Sequence, residues 1–112
     1  MATTLKEIAL QSEVTLTLIE DTLPLKGPVK GVCAVLGLDP LYVSNEGKLL
    51  VFVAPDAAER VLNRMRRHPL GSEAAIIGEV TAAGGGRVQM ETLTGGMRAV
   101  EMLSGEQLPR IC

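Results

Sequence analysis

The stretch 13–20 does most to limit what this chain can fold into. Val14, Leu16 and Leu18 fall on one side of an extended backbone and Thr15, Thr17 and Ile19 on the other, a β-branched and aliphatic pattern that reads as a fairly buried strand. Such a strand needs partners, and the sequence offers several. Residues 41–43 and 48–54 make a hairpin-like arrangement around the turn Ser44-Asn45-Glu46-Gly47. Residues 74–81 form a nearly continuous apolar strand, 87–91 alternate, and 97–103 follow the turn Thr94-Gly95-Gly96, so the final third reads as an antiparallel meander. Gly84-Gly85-Gly86 invites a phosphate-loop reading, but a strand follows it where such a loop needs a helix, so it reads as a flexible hairpin turn.

Three helices complete the pattern. Thr4-Leu5-Lys6-Glu7 has capping-box spacing, and Leu5, Ile8 and Ala9 continue at helical spacing, which predicts a short helix over 4–11 that needs a docking surface. Pro28 suits a first helical position, with Val29, Val32, Cys33 and Leu36 making a stripe and Gly37 ending it. Pro55 opens the third, with Ala58, Val61, Leu62 and Met65 on the apolar side and Glu59, Arg60, Arg64 and Arg67 outside. Asp56 at its start and the arginines at its end suit the helix dipole, and His68-Pro69 closes it. The expected class is α/β (α+β): a mixed, largely antiparallel sheet packed by about three helices.

At 112 residues the chain has room for one domain, taken here as 1–105, followed by a mobile tail over 106–112. Aromatic residues make up 2% of it, and 11 Lys+Arg against 13 Asp+Glu leave a formal charge of -2, so there is neither a stacking platform nor a basic footprint for nucleic acid. Apolar runs such as 49–55 are far shorter than the ~20 residues of a membrane helix. No signal-peptide pattern precedes the two cysteines and no disulfide framework is implied, so the expected compartment is the cytoplasm, with reduced thiols.

Four residues are candidates for chemistry. Cys112 stands at the end of the chain, where its sulfur can travel on an arm of seven residues reaching roughly 20 Å. Its neighbours do not activate it: a free thiol has a pKa of about 8.5, the adjacent α-carboxylate raises it, and Arg110 is the local cation to offset this. A carrier thiol and an accidental terminal cysteine are both compatible with the position. Glu46 sits in a turn beside Gly47, where its carboxylate is either aimed at a cleft or simply solvated; Asn45 precedes it. Cys33 lies on an apolar stripe and reads as a small buried hydrophobe, and His68, with no second His or Cys cluster, as a helix-terminus residue.

Two stretches go further than periodicity. The run Leu36-Gly37-Leu38-Asp39-Pro40-Leu41-Tyr42-Val43-Ser44-Asn45-Glu46-Gly47-Lys48 and the ending Leu108-Pro109-Arg110-Ile111-Cys112 closely resemble the HypE family of hydrogenase maturation factors, carbamoyl dehydratases of the AIR-synthase-related superfamily. His68-Pro69-Leu70-Gly71 and Ala74-Ala75-Ile76-Ile77-Gly78-Glu79-Val80 are similar to it as well. The resemblance implies a partial AIR-synthase-related C-terminal domain. It also implies a route to the cyanide ligand of nickel-iron hydrogenase: the carbamoyltransferase HypF loads a carbamoyl group on Cys112, ATP with magnesium drives its dehydration to a thiocyanate, and the nitrile passes to iron held by HypC and HypD. Glu46 is the implied base, with Asn45 as a supporting hydrogen-bond partner, and the implied assembly is a homodimer.

The resemblance begins inside the second domain of that family. The expectation is therefore that this chain carries the thiol but lacks the ATP-binding domain, binds no cofactor alone, does not complete the dehydration by itself, and exposes apolar surface that promotes association. The alternative expectation is a noncatalytic docking module for hydrogenase maturation proteins.

Overall fold

The computed structural model describes residues 1–102, and the strand read as fairly buried proves to be an inner strand of the sheet. β1 (Val14–Ile19) lies between β2 (Gly78–Ala83) and β3 (Arg87–Glu91), and β4 (Met97–Ala99) lies outside β3, giving the order β2-β1-β3-β4. β1 pairs antiparallel with β2 and parallel with β3, and β3 pairs antiparallel with β4. The sheet is thus mixed and largely antiparallel, and three α-helices accompany it: α1 (Ala2–Gln11), α2 (Gly27–Leu36) and α3 (Ala58–Arg66).

The parallel pair corrects the meander expected for the final third. β2 and β3 are not a hairpin, because both pair with β1 and the Gly84-Gly85-Gly86 loop carries the chain across the end of that strand. All three glycines have positive φ (88°, 90° and 52°), a region where a side chain is strained. The Gly84 amide donates to the Glu13 carbonyl, and the Thr15 hydroxyl donates to the Gly84 carbonyl at 3.1 Å, tying the crossing to β1.

Strand alternation then decides the two faces. Leu16 opposite Val88 and Leu18 opposite Met90 are buried with Ala2, Leu5 and Ala9 of α1, and Leu23, Leu41 and Val100 close the cluster. Each large aliphatic side chain removed from water there contributes about 1.5–3 kcal/mol. On the opposite face Thr17 is the centre of a polar ladder across three strands. Its hydroxyl is 2.9 Å from that of Thr81 on β2 and accepts from Gln89 Nε2 on β3 at 2.9 Å.

Several boundaries differ from expectation. α1 begins at Ala2 with no side-chain cap, so Thr4 lies within the first turn and the Thr4/Glu7 capping box does not form; the Ala2 amide donates instead to the Leu41 carbonyl at 3.0 Å. α2 has Pro28 in its first turn and ends at Gly37 with φ 65°, as its sequence predicts, yet of its stripe only Cys33 is buried, while Val29, Val32 and Leu36 are exposed. α3 follows a 3-10 turn over Pro55–Ala57 and buries Leu62. β2 starts at Gly78, later than the expected 74, although the Ile77 carbonyl already accepts from the Ile19 amide at 2.9 Å.

The expected hairpin over 41–54 is absent. Among the described residues, 48–54 form no strand and join no ladder of the four-stranded sheet. Leu50 packs partly against the core, whereas Leu49, Val51, Phe52 and Val53 are exposed. β4 covers Met97–Ala99; of the expected 97–103, residues 100–102 are not strand and 103 lies outside the described residues. The expected boundary at 105 and the tail over 106–112 lie outside the described residues.

Candidate functional site: the Glu46 loop and its anchor

Leu38-Asp39-Pro40-Leu41 leaves α2 through a turn because Gly37 ends the helix and Pro40 cannot continue one. Asp39 then organises the local backbone: its Oδ1 accepts from the Leu41 amide at 2.9 Å, and its carbonyl accepts from the Tyr42 amide at 3.0 Å. Leu41 is 2% exposed and plugs the turn into the core. The anchor extends to the far end of the chain. Arg98 Nη2 on β4 meets Asp39 Oδ2 at 2.6 Å, and the Tyr42 hydroxyl donates to the Glu101 carbonyl at 2.7 Å. Lys6 of α1 pairs with the Glu101 carboxylate at 3.2 Å.

Glu46 stands four residues beyond this anchor, exposed, and followed by Gly47 at φ 70°. The Asn45 side-chain amide donates to the Val43 carbonyl at 3.1 Å, so in this arrangement it stabilises the turn rather than bonding Glu46. Burial raises the Tyr42 hydroxyl above its ordinary pKa of 10.0, with the Asp39 carboxylate adding to the shift and the Glu101 carbonyl bond opposing it. Arg110 and Cys112 lie outside the described residues. Cys33 is a buried free thiol, as its stripe position implied, and His68 Nδ1 accepts from the Leu70 amide at 3.2 Å at the helix end.

The anchor was not singled out in the sequence. Tyr42 and Glu101 are 59 positions apart, and no local periodicity marks such a pair; the polar residues flanking the buried Leu41 were the available signal.

Two surface depressions lie elsewhere. One of 390 Å³ is lined by Leu10, Glu13 and the three crossing glycines, and one of 590 Å³ by Arg60, Val61, Asn63, Arg64 and Arg67. The glycine loop does not fit a phosphate: a strand follows it, the Gly84 amide is already used by Glu13, and Glu13 lines the same depression with an acidic side chain. No group of three His, Cys, Asp or Glu among the described residues can hold a metal ion, and no helix among them is long and apolar enough to cross a membrane.

Comparison with known proteins places these features. Residues 1–91 match the family described as AIR synthase related protein, C-terminal domain. The chain is 55% identical over its full length to the carbamoyl dehydratase HypE of Azotobacter vinelandii, covering 33% of that protein. A crystal structure of the hydrogenase maturation protein HypE superposes with a TM-score of 0.89 at 48% identity, over 99% of this chain and 36% of the other. HypE in complex with ATP (TM-score 0.86, 42% identity, 95% of this chain and 33% of the other) and a HypE-HypF complex (0.82, 40%, 89% and 32%) are similar too. The chain thus spans about one third of the length of the curated relatives it matches. With the AIR-synthase-related match covering 1–91 and the HypE likeness running through all 112 residues, the chain belongs to the AIR synthase related C-terminal domain family, and its relatives are the HypE carbamoyl dehydratases of hydrogenase maturation.

Proposed function

We propose that this chain performs the carrier and proton-transfer part of a HypE-type carbamoyl dehydration, with Cys112 as the thiol that holds the carbamoyl group and Glu46 as the base. The observation that carries the reading is the Tyr42–Glu101 hydrogen bond of 2.7 Å, which ties the root of the Glu46 loop to the segment just after β4, from which the sequence runs on to Cys112. Glu46 is four residues from Tyr42 and Cys112 eleven from Glu101. At about 3.3–3.6 Å per residue, the second span is long enough to reach the end of the first. Chain length therefore permits the thiol and the carboxylate to meet.

The chemistry asks for that pairing. Dehydration of an S-carbamoyl group breaks the carbon–oxygen bond, the oxygen leaving as phosphate once it has been phosphorylated, and removes both amide protons as the carbon–nitrogen triple bond forms, leaving an S-cyano group on the cysteine. ATP with magnesium supplies the activation of the amide oxygen when bound, and in this proposal other parts of the complete enzyme bind it. Glu46, exposed on its turn, accepts protons from the amide nitrogen. Asn45 keeps that turn in shape, and Arg110 offsets the terminal carboxylate beside the thiol.

The partners follow from the same reading. A HypF-type carbamoyltransferase loads Cys112, a HypC and HypD complex with iron receives the nitrile, and the enzyme works in the cytoplasm as a homodimer. The test is the intact mass of the chain after incubation with HypF, carbamoyl phosphate and ATP, with Cys112→Ser as control. A carbamoyl adduct that depends on Cys112 and is not converted to the nitrile by this chain alone is expected. Complete conversion would overturn the assignment of ATP chemistry to other parts of the enzyme, and no adduct would overturn the carrier role in favour of docking alone.

A further inference from the structure

We propose that Tyr42 is a positioning residue for the dehydration, holding the Glu46 loop and the root of the thiol-bearing segment in one fixed relation; the proposal rests on the reading of Glu46 and Cys112 given above. Among the described residues, 43–53 make no backbone–backbone hydrogen bond, so the placement of Glu46 is set mainly where the loop begins. Four hydrogen bonds and an ion pair converge there. Three of the hydrogen bonds and the ion pair fix the turn itself: Ala2 amide to Leu41 carbonyl, Leu41 amide to Asp39 Oδ1, Tyr42 amide to Asp39 carbonyl, and Arg98 to Asp39 Oδ2. The fourth, from the Tyr42 hydroxyl, is different in kind. It reaches past β4 to the carbonyl of residue 101, on the segment that continues to Cys112.

Because the acceptor is a backbone carbonyl, the bond registers the course of the chain and not the side chain at 101. The tyrosine ring packs against the core cluster and gives the hydroxyl a firm base. A general base must come within about 3 Å of the proton it takes, and small misplacements of reacting groups cost large factors in rate. Fixing the roots of both segments against each other limits the volume that base and thiol explore, which raises the effective concentration of one at the other. Tyr42 does this without touching the substrate.

The experiment uses a complete HypE-type enzyme whose C-terminal third is this chain. Tyr42→Phe retains the ring and removes the hydroxyl, and two rates are followed by intact mass: loading of the carbamoyl group by HypF and single-turnover conversion to the nitrile. With Tyr42→Phe, loading is expected to match wild type and conversion to fall between about tenfold and a hundredfold. Glu46→Gln is expected to load and not convert. Equal slowing of both rates in Tyr42→Phe would show a merely structural role and overturn the proposal, as would conversion at the wild-type rate. If Glu46→Gln converts normally, the reading of Glu46 itself has failed, an outcome distinct from the failure of Tyr42 alone.

Discussion

Asp39 and Arg98 form the tightest ion pair in the described residues, 2.6 Å between Oδ2 and Nη2, while the other Asp39 oxygen is occupied by the Leu41 amide. The pair is partly shielded, with side chains 23% and 38% exposed. Asp39→Ala removes both bonds and leaves the Leu41 amide beside a buried side chain without an acceptor. A loss of about 1–3 kcal/mol in denaturant unfolding is expected, and Arg98→Ala should cost less because it spares the turn.

Tyr42 gives the fold a pH dependence of known sign. Its folded pKa is raised above 10.0, chiefly by burial, so its contribution is fully present below pH 10 and is lost as pH rises through the folded value. Unfolding midpoints measured from pH 9 upwards should fall more steeply for wild type than for Tyr42→Phe. Below pH 9 the variant should be less stable by about 1 kcal/mol, the worth of one hydrogen bond.

Gly78 of β2 pairs with Leu18 of β1 and has no room for a side chain. A Cβ there would run into the Thr17 carbonyl and lie 2.9 Å from Leu18 Cα, both backbone atoms that cannot swing aside. Gly78→Ala is expected to cost about 1–3 kcal/mol and to weaken hydrogen-exchange protection along β1. Protection of α3, which packs chiefly against the 3-10 turns on either side of it, should change least.

Leu49, Val51, Phe52 and Val53 present an apolar run to solvent beside backbone groups that pair with no strand among the described residues. Such a segment favours association. Sedimentation velocity of the isolated chain should show concentration-dependent self-association, and Leu49→Glu with Phe52→Glu should shift it towards monomer. An unchanged distribution in that variant would remove this run from the contact.

Cys33 is 5% exposed, which separates the two thiols experimentally. In Cys112→Ser, a thiol reagent should label the native chain slowly and the denatured chain at once. Slow labelling of that native variant would show that an adduct proposed for Cys112 can be assigned without interference from Cys33.

What could be read from the sequence was what neighbours along the chain decide. Pro28 and Gly37 bracket α2 because each acts on its own backbone, and Gly47 marks the Glu46 turn for the same reason. Partner choice was not legible. The alternation in 87–91 says strand but cannot say that β3 lies parallel to β1, and three glycines serve a hairpin or a crossing equally well. Capping-box spacing at Thr4 was overruled by the contact between Ala2 and Leu41, and 48–54 carry a strand's composition without a strand partner among the described residues. Glu46 came into view through its resemblance to a family, whereas its anchor joins residues 59 apart and appears only in three dimensions.

The crossing over the end of β1 also sets a timetable for synthesis. Thr17 finds its ladder partners Thr81 and Gln89 only 64 and 72 positions later, so these contacts of β1 cannot form until the segments that hold them have been made. Loops that long close slowly and leave apolar edges open while they do. Until β2 and β3 are made, the β1 edges that they cover in the folded sheet stay open, so those edges are where premature association of the unfinished fold would start.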